Sequence, residues 1–308
     1  MRAGALSKDF APVCAKRAAV AFSVIMLAAM PLAGCSPSSA LNFFTWRHGV
    51  EITRSIAYGE GVRRTLDVYR PAGAAAAPIV VFFYGGSWQR GRKEIYLFVA
   101  ATLARYGYLT IVPDYRLYPE VRYPGFVEDG AQAVRWARDN AARFGGDPKK
   151  LFLMGHSAGA YIAATLALDR RWLRQVDLVP DRDIAGLIGL AGPYDFLPLR
   201  DGTLKIIFGG ADPATQPISY VSPGAPPALL LTGAQDDTVD PGNSGRLAAR
   251  LRAASDDADV LTYSRVGHLS IVGAIAWPFR FLAPVLRDID TFIAKTARHA
   301  QRAPEPAT

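Results

Sequence analysis

The sequence predicts an α/β fold, a mostly parallel central sheet flanked by helices on both faces, with a small cap or none. Three observations predict it. Strand-like and helix-like segments alternate from about residue 63 onward, several strand-like runs are apolar throughout rather than alternating, and a glycine-bracketed serine stands at a strand-to-helix junction. Half of the 308 residues are apolar and a fifth are charged, with glycine and proline spread along the whole length, which suits one globular domain.

Residues 1–34 stand apart from that domain. Arg2, Lys8, Lys16 and Arg17 precede the apolar run Ala18–Leu32, and Leu32-Ala33-Gly34-Cys35 is followed by Ser36, Pro37, Ser38 and Ser39. The run is shorter than the roughly 20 residues a membrane-spanning helix needs, so the segment reads as a signal peptide. Leu-Ala-Gly-Cys resembles a bacterial lipobox. By that resemblance Cys35 is the lipidated residue and mature N-terminus, and the protein is a lipid-anchored lipoprotein of the bacterial cell envelope. Ser36 in place of Asp resembles lipoproteins sorted to the outer membrane in a Gram-negative host. An ordinary secretory signal is the alternative reading. Cys14, the other cysteine, falls in the removed segment, which leaves no pair for a disulfide.

Residues 35–62 read as tether and N-terminal arm. Arg64–Tyr69 is the first expected strand, Pro78–Tyr84 a second that is buried on both faces, and Tyr108–Pro113 a third. From Phe126 the apolar positions 126, 130, 133, 134, 137 and 141 share one side at helical spacing, and Gly145-Gly146 stops that helix. Leu151–Met154 is the next strand, and the alanine-rich Ala158–Leu168 the helix directly after it. Ile184–Leu190, Ala228–Leu231 and a less apolar run at about 259–264 complete the sheet. A closing helix is expected at about 283–297, ending the domain near 299, with 300–308 a disordered tail containing Pro304 and Pro306.

Ser157 lies at the junction of strand and helix, in Gly155-His156-Ser157-Ala158-Gly159. Small neighbours let strand and helix pack closely around a sharp turn, so that the serine Oγ projects and the helix N-terminus faces a developing negative charge. A serine hydroxyl needs a base, and the base a carboxylate to orient it. Of four histidines, His48 is in the arm, His156 adjoins Ser157 with its side chain directed elsewhere, and His299 is at the tail. His268 remains, in a loop after a late strand where Gly267 lets the chain turn. The acid comes from the turn after Leu229-Leu230-Leu231-Thr232-Gly233, where Asp236 is preferred over Asp237. For the oxyanion, the N–H of Ala158 is one donor. The second is expected from Tyr84-Gly85-Gly86-Ser87-Trp88, with Gly86 preferred over Gly85, and Trp88 near the wall of the substrate pocket.

These motifs resemble the esterase branch of the α/β-hydrolases that includes hormone-sensitive-lipase-like carboxylesterases, arylformamidases and feruloyl-esterase-like bacterial proteins. The resemblance covers about residues 63–295. It includes Pro113-Asp114-Tyr115-Arg116-Leu117-Tyr118-Pro119-Glu120 and the stretch from Tyr123-Pro124 through Glu128-Asp129 to Trp136. It implies an α/β-hydrolase fold, a small-molecule ester as substrate, the chain order Ser157, Asp236, His268, and a structural part for Asp114-Tyr115-Arg116. Two departures stand out. Tyr84-Gly85-Gly86-Ser87 replaces the His-Gly-Gly-Gly of many members, and the short arm leaves residues 171–183 and 196–220 as the candidate lid, over an open site for short acyl or aryl groups.

An amide hydrolase of arylformamidase or peptidase type would use the same three residues, and a non-catalytic envelope lipoprotein would keep the fold without the chemistry. No propeller-sized segment precedes the first strand, which argues against a prolyl-oligopeptidase-like peptidase. No His-Glu-x-x-His or close His/Asp cluster occurs, so no metal or cofactor is expected. The net charge is +8, of which three charges fall before residue 35. Without a run of five Lys/Arg or a basic helix interleaved with aromatics, no nucleic-acid partner is expected.

Overall fold

A computed structural model describes residues 37–302. The expected leader, Cys35 and residues 303–308 lie outside the described residues. Two compact units divide the chain, Met1–Ala40 and Leu41–Thr308, and the second contains the whole sheet with its own core. Among the described residues no helix is long and apolar enough to cross a membrane.

The strands are β1 (Val50–Ala57), β2 (Thr65–Pro71), β3 (Ala77–Phe83), β4 (Leu109–Pro113), β5 (Gly146–His156), β6 (Gly186–Leu190), β7 (Ala228–Gly233) and β8 (Ala258–Tyr263). They form one sheet in the order β1-β2-β4-β3-β5-β6-β7-β8. β2 runs antiparallel to both β1 and β4, and all other pairings are parallel. With its helices, this is the α/β-hydrolase architecture expected from the sequence.

Continuous apolar runs become the middle of the sheet because helices cover both faces there. Every residue of β6 and β7 is buried, as are the last seven of β5, Lys150 being exposed to solvent over little of its surface. The helix Ala158–Leu168 is buried at every position, so it has no polar stripe and uses alanine to pack closely on the sheet. The helix Gly125–Asn140 buries Phe126, Gly130, Ala133, Val134 and Ala137, the stripe expected from its spacing.

Two boundaries differ from expectation. The sheet begins with β1, inside the segment read as an arm before residue 63. β1 is an edge strand, Val-Glu-Ile-Thr-Arg-Ser-Ile-Ala, whose polar residues alternate with half-buried ones and which carries a register shift between Thr53 and Ile56. Asp67 of β2 holds it at that irregularity by accepting from the Ser55 N–H (2.9 Å) and from Arg54 (3.3 Å). At the other end, the closing helix is Val285–Arg302, so residues 300–302 are helical rather than tail.

The direction of the strands positions the site. β5, β6, β7 and β8 are parallel, so the loops that follow β5, β7 and β8 open on the same edge of the sheet, and Ser157, Asp236 and His268 all lie in or just after them.

Candidate active site

Ser157 directly follows β5 and precedes the helix Ala158–Leu168. Its backbone lies at φ 55°, ψ −124°, a conformation that costs an L-residue about 1–3 kcal/mol and persists only where the surroundings impose it. They do so on both sides. The Ser157 N–H donates to the Leu190 carbonyl of β6 (2.9 Å), and the Ser157 carbonyl accepts from the Tyr161 N–H (3.1 Å). Gly155 and Gly159 meet across the turn, where a Cβ on Gly155 would overlap the Gly159 carbonyl and one on Gly159 would overlap that of Phe83.

The three residues singled out from the sequence meet here. The Ser157 hydroxyl donates to His268 Nε2 (2.8 Å), and His268 Nδ1 donates to Asp236 Oδ2 (2.9 Å). A carboxylate can only accept, which assigns the proton to Nδ1 and leaves Nε2 free to accept. The other Asp236 oxygen accepts from the N–H groups of Val239 (2.9 Å) and Thr238 (3.0 Å). Burial alone would raise the Asp236 pKa. The hydrogen bonds from His268 and those two N–H groups outweigh burial and hold the carboxyl below its ordinary value. Asp237 is exposed and accepts from the Thr238 hydroxyl, so the register of the turn gives His268 to Asp236.

Ala158 is the first residue of its helix, and its N–H is one of the orphan donors of that end. Across the cleft, the Gly85 N–H is turned to the Tyr96 hydroxyl. The N–H groups of Gly86 and Ser87 donate to no backbone or side-chain acceptor among the described residues. Ser87, which sequence reasoning did not single out as a donor, therefore joins Gly86 as a candidate second donor, ahead of Gly85. Ser87 and Trp88 have φ 53° and 58°, so the turn is left-handed even where glycine is absent. Gly85 itself is a spacer, because a Cβ there would come within 2.9 Å of both the Ser157 Cβ and the His156 ring.

The turn is braced by the Asp-Tyr-Arg stretch. Tyr84 donates its hydroxyl to Asp114 (2.7 Å), and Asp114 also accepts from the Lys93 N–H (2.8 Å). The Tyr115 hydroxyl donates to the Tyr84 carbonyl (2.7 Å), while Arg63 reaches the Tyr84 hydroxyl (2.6 Å) and the Gly91 carbonyl (2.9 Å). Arg116 is clamped to buried Asp129 by two of its nitrogens. Both ends of the loop from Tyr84 to Lys93 are thus tied to Asp114.

His156 was set aside as a base, and its bonding shows what it does instead. Its Nε2 donates to the His268 backbone carbonyl (2.9 Å), and its Nδ1 faces the Tyr96 hydroxyl at 3.5 Å. A chain of contacts therefore runs from the Gly85 N–H through Tyr96 and His156 to the backbone of His268. Burial, with the neighbouring His268 ring adding to it, drops the His156 pKa from 6.5 to about 3, so the ring is neutral in the folded protein. The unfolded chain binds that proton near pH 6.5 and the folded one only near 3, so stability is full above pH 6.5 and falls as pH drops between these values. Urea titrations are expected to show a slope of about 1.4 kcal/mol per pH unit over that window, beyond that of a His156→Gln variant. Parallel pH profiles for the two proteins would remove His156 as the cause.

Ser157 and Ala158 line a cleft of about 830 Å³ together with Ser87, Trp88, Phe196 and Arg200. Trp88 is nearly buried in its floor, packed on Tyr161, Phe196 and Phe208 with ring centroids 4.9–6.1 Å apart. Of the two lid segments considered, 196–204 borders the cleft, whereas 171–183 contributes no lining residue. A second cavity of about 390 Å³ lies at the opposite ends of β7 and β8, bordered by Arg252, Asp256 and Phe292, and contains none of Ser157, Asp236 and His268. Among the described residues no group of three His, Cys, Asp or Glu is placed to hold a metal ion.

Residues 66–251 match the family model described as BD-FAE. Esterase LipC of Mycobacterium tuberculosis is 29% identical over 242 residues, which cover 72% of this chain and 58% of LipC. Isoprenylcysteine alpha-carbonyl methylesterase ICME of Arabidopsis thaliana is 29% identical over 244 residues, 72% of this chain and 57% of the enzyme. The chain thus spans a little over half the length of these curated relatives. Among solved structures, a truncated carbohydrate esterase from gut microbiota shares the fold with TM-score 0.73 at 18% identity, over 82% of this chain and 99% of that one. Esterase B of Lactobacillus rhamnosis, solved with a tributyrin phosphonate inhibitor, gives TM-score 0.73 at 21% identity over 94% and 98%.

Proposed function

The chain belongs to the BD-FAE family, and from that membership and the geometry of its cleft we propose that it hydrolyses carboxylic esters through an acyl-enzyme on Ser157. The observation that carries this reading is the continuous hydrogen-bonded line from the Ser157 hydroxyl through His268 to Asp236, at 2.8 and 2.9 Å. The esterases among its relatives support the reaction class.

In this reading Ser157 Oγ attacks the ester carbonyl as Nε2 of His268 takes its proton. The oxyanion is held by the Ala158 N–H and by Gly86 and Ser87, each donor worth about 2.7–4 kcal/mol. His268 returns the proton to the departing alcohol. A water then attacks the acyl-enzyme with His268 again as base, releasing the acid and restoring the serine. Asp236 stays ionised throughout and keeps the imidazole in the accepting tautomer. The acyl group lies against Trp88 and Phe196, and short acyl or aryl esters are the expected substrates.

A fluorophosphonate probe tests the nucleophile without a known substrate. The expected result is one adduct, on the peptide containing Ser157, absent from Ser157→Ala. Folded protein that takes up no probe would overturn the reading in favour of a non-catalytic lipoprotein.

Acylation of Cys35 belongs to the same proposal, supported by the Leu32-Ala33-Gly34-Cys35 sequence after an apolar run. Cells fed an alkynyl palmitate are expected to label the protein and to retain it in the membrane fraction. Cys35→Ser should abolish the label; a label that persists would place the modification elsewhere.

A further inference from the structure

One face outside the cleft gathers large aromatic side chains that a folded chain would ordinarily cover. Trp46, Trp277 and Phe281 are 70%, 74% and 75% exposed. Arginine–aromatic contacts lie beside Trp46 and beside the stretch from Trp277 to Phe281. The Arg105 guanidinium lies over the Trp46 ring at 5.9 Å, its neighbour Tyr106 is half exposed, and the Arg280 guanidinium lies over the Tyr106 ring at 5.6 Å. Arg280 stands between Trp277 and Phe281 in the chain. Phe43 and Phe44, 77% and 62% exposed, extend the aromatic run toward the N-terminus.

We propose that this face docks the folded domain on an anionic phospholipid bilayer. Three observations choose that occupant. Exposed Trp, Tyr and Phe beside arginine is the composition that settles at the headgroup level, where rings insert their apolar bodies and guanidinium groups stay with the phosphates. Arg105 and Arg280 pair with no carboxylate among the described residues, unlike Arg116 or Arg171 with their aspartates, so their charge is available to anionic lipid. The chain outside the described residues enters at Pro37, only six residues before Phe43, and its last stretch carries the apolar run Ala18–Leu32 and Cys35. The N-terminal arm is held to the domain at this place, since Asn42 donates to the Glu94 carbonyl (2.7 Å) and accepts from the Phe98 N–H (3.0 Å). Trp277 follows the helix that begins with His268, so docking and catalytic residues share one segment of chain.

The composition of the face and its unpaired arginines do not depend on acylation of Cys35 or on the ester reaction, and the test separates the inference from both. Residues 41–308 form a compact unit with its own core, and that unlipidated protein is sedimented with vesicles of phosphatidylcholine alone or mixed in equal parts with phosphatidylglycerol. The expected result is binding to the mixed vesicles that weakens with added salt and is at least about tenfold weaker on phosphatidylcholine. Trp46→Ala with Trp277→Ala and Phe281→Ala, and separately Arg105→Glu with Arg280→Glu, should each weaken it at least about tenfold. Trp46, Trp277, Phe281 and Arg105 are exposed, and half-buried Arg280 gives up only one bond, from its Nε to the Ile275 carbonyl (3.2 Å), so far-ultraviolet circular dichroism should be unchanged and the fluorophosphonate reaction retained. No binding to the mixed vesicles, or binding that both variants leave intact, would overturn the proposal. So would a dimer in solution that the aromatic variant dissociates without any vesicle binding, because the face would then be covered by a second copy.

Discussion

Replacing His268 by alanine is expected to lower kcat on a p-nitrophenyl butyrate probe by about 10⁴- to 10⁶-fold while KM moves by only a few-fold. The asymmetry follows from what the imidazole touches. Its Nε2 accepts the proton of Ser157, a bond made in the transition state, whereas the cleft walls that hold the substrate are Trp88, Phe196 and their neighbours. The loop itself should survive, because His156 is anchored to the backbone carbonyl of residue 268 and not to its ring. Ser157→Ala should lose as much, and the double variant little more, because the two act as one unit. Added imidazole should restore part of the activity of His268→Ala by entering the vacated space, which no merely structural role would allow. Activity within tenfold of the native protein would show that another group removes the serine proton.

The parts of the fold that were legible in the sequence are those where burial is complete. β3, β5, β6 and β7 are apolar runs because both their faces are covered, and Ala158–Leu168 is alanine-rich because every side is packed. β1 was not legible. An edge strand pairs on one side only and needs no apolar run, and Val50–Ala57 with its Glu, Thr, Arg and Ser looked like connecting chain. Ser157 and His268 could be read because chemistry and elimination left few choices. The bracing of the site could not, since Tyr96 with His156 lies 60 positions apart and Arg63 with Gly91 28 positions, and only the sheet order brings them together. The Tyr84–Asp114 bond shows the same limit. Both residues lie in recognisable motifs, yet nothing in either motif says that one holds the other. Ser87 stood out only as a departure from a glycine-rich motif and not as a donor, because a non-glycine residue gives no sign of the positive φ it adopts.

The choice between two adjacent aspartates carries the second large effect. Asp236→Asn is expected to lower kcat by about 10⁴-fold, and Asp237→Asn to leave it within about twofold. The substitution preserves shape: an asparagine Oδ1 can still accept from the Val239 and Thr238 N–H groups, so the turn should hold. What changes is the group facing His268 Nδ1. An amide nitrogen there donates, which drives the imidazole proton to Nε2, where it can no longer accept from Ser157. The loss should therefore be partly relieved at high pH, where hydroxide can take the Ser157 proton, but not by raising substrate concentration. Stability supplies an independent check on the same carboxylate. Its folded pKa lies below the ordinary value, so its ionised form stabilises the fold above about pH 4 and that contribution is lost as pH falls through the lower folded value. Native protein should thus exceed Asp236→Asn in Tm near neutrality, and the two should converge in acid. If Asp237→Asn instead proved the inactive variant, the hydrogen bond from His268 to Asp236 would not be the one that works in catalysis.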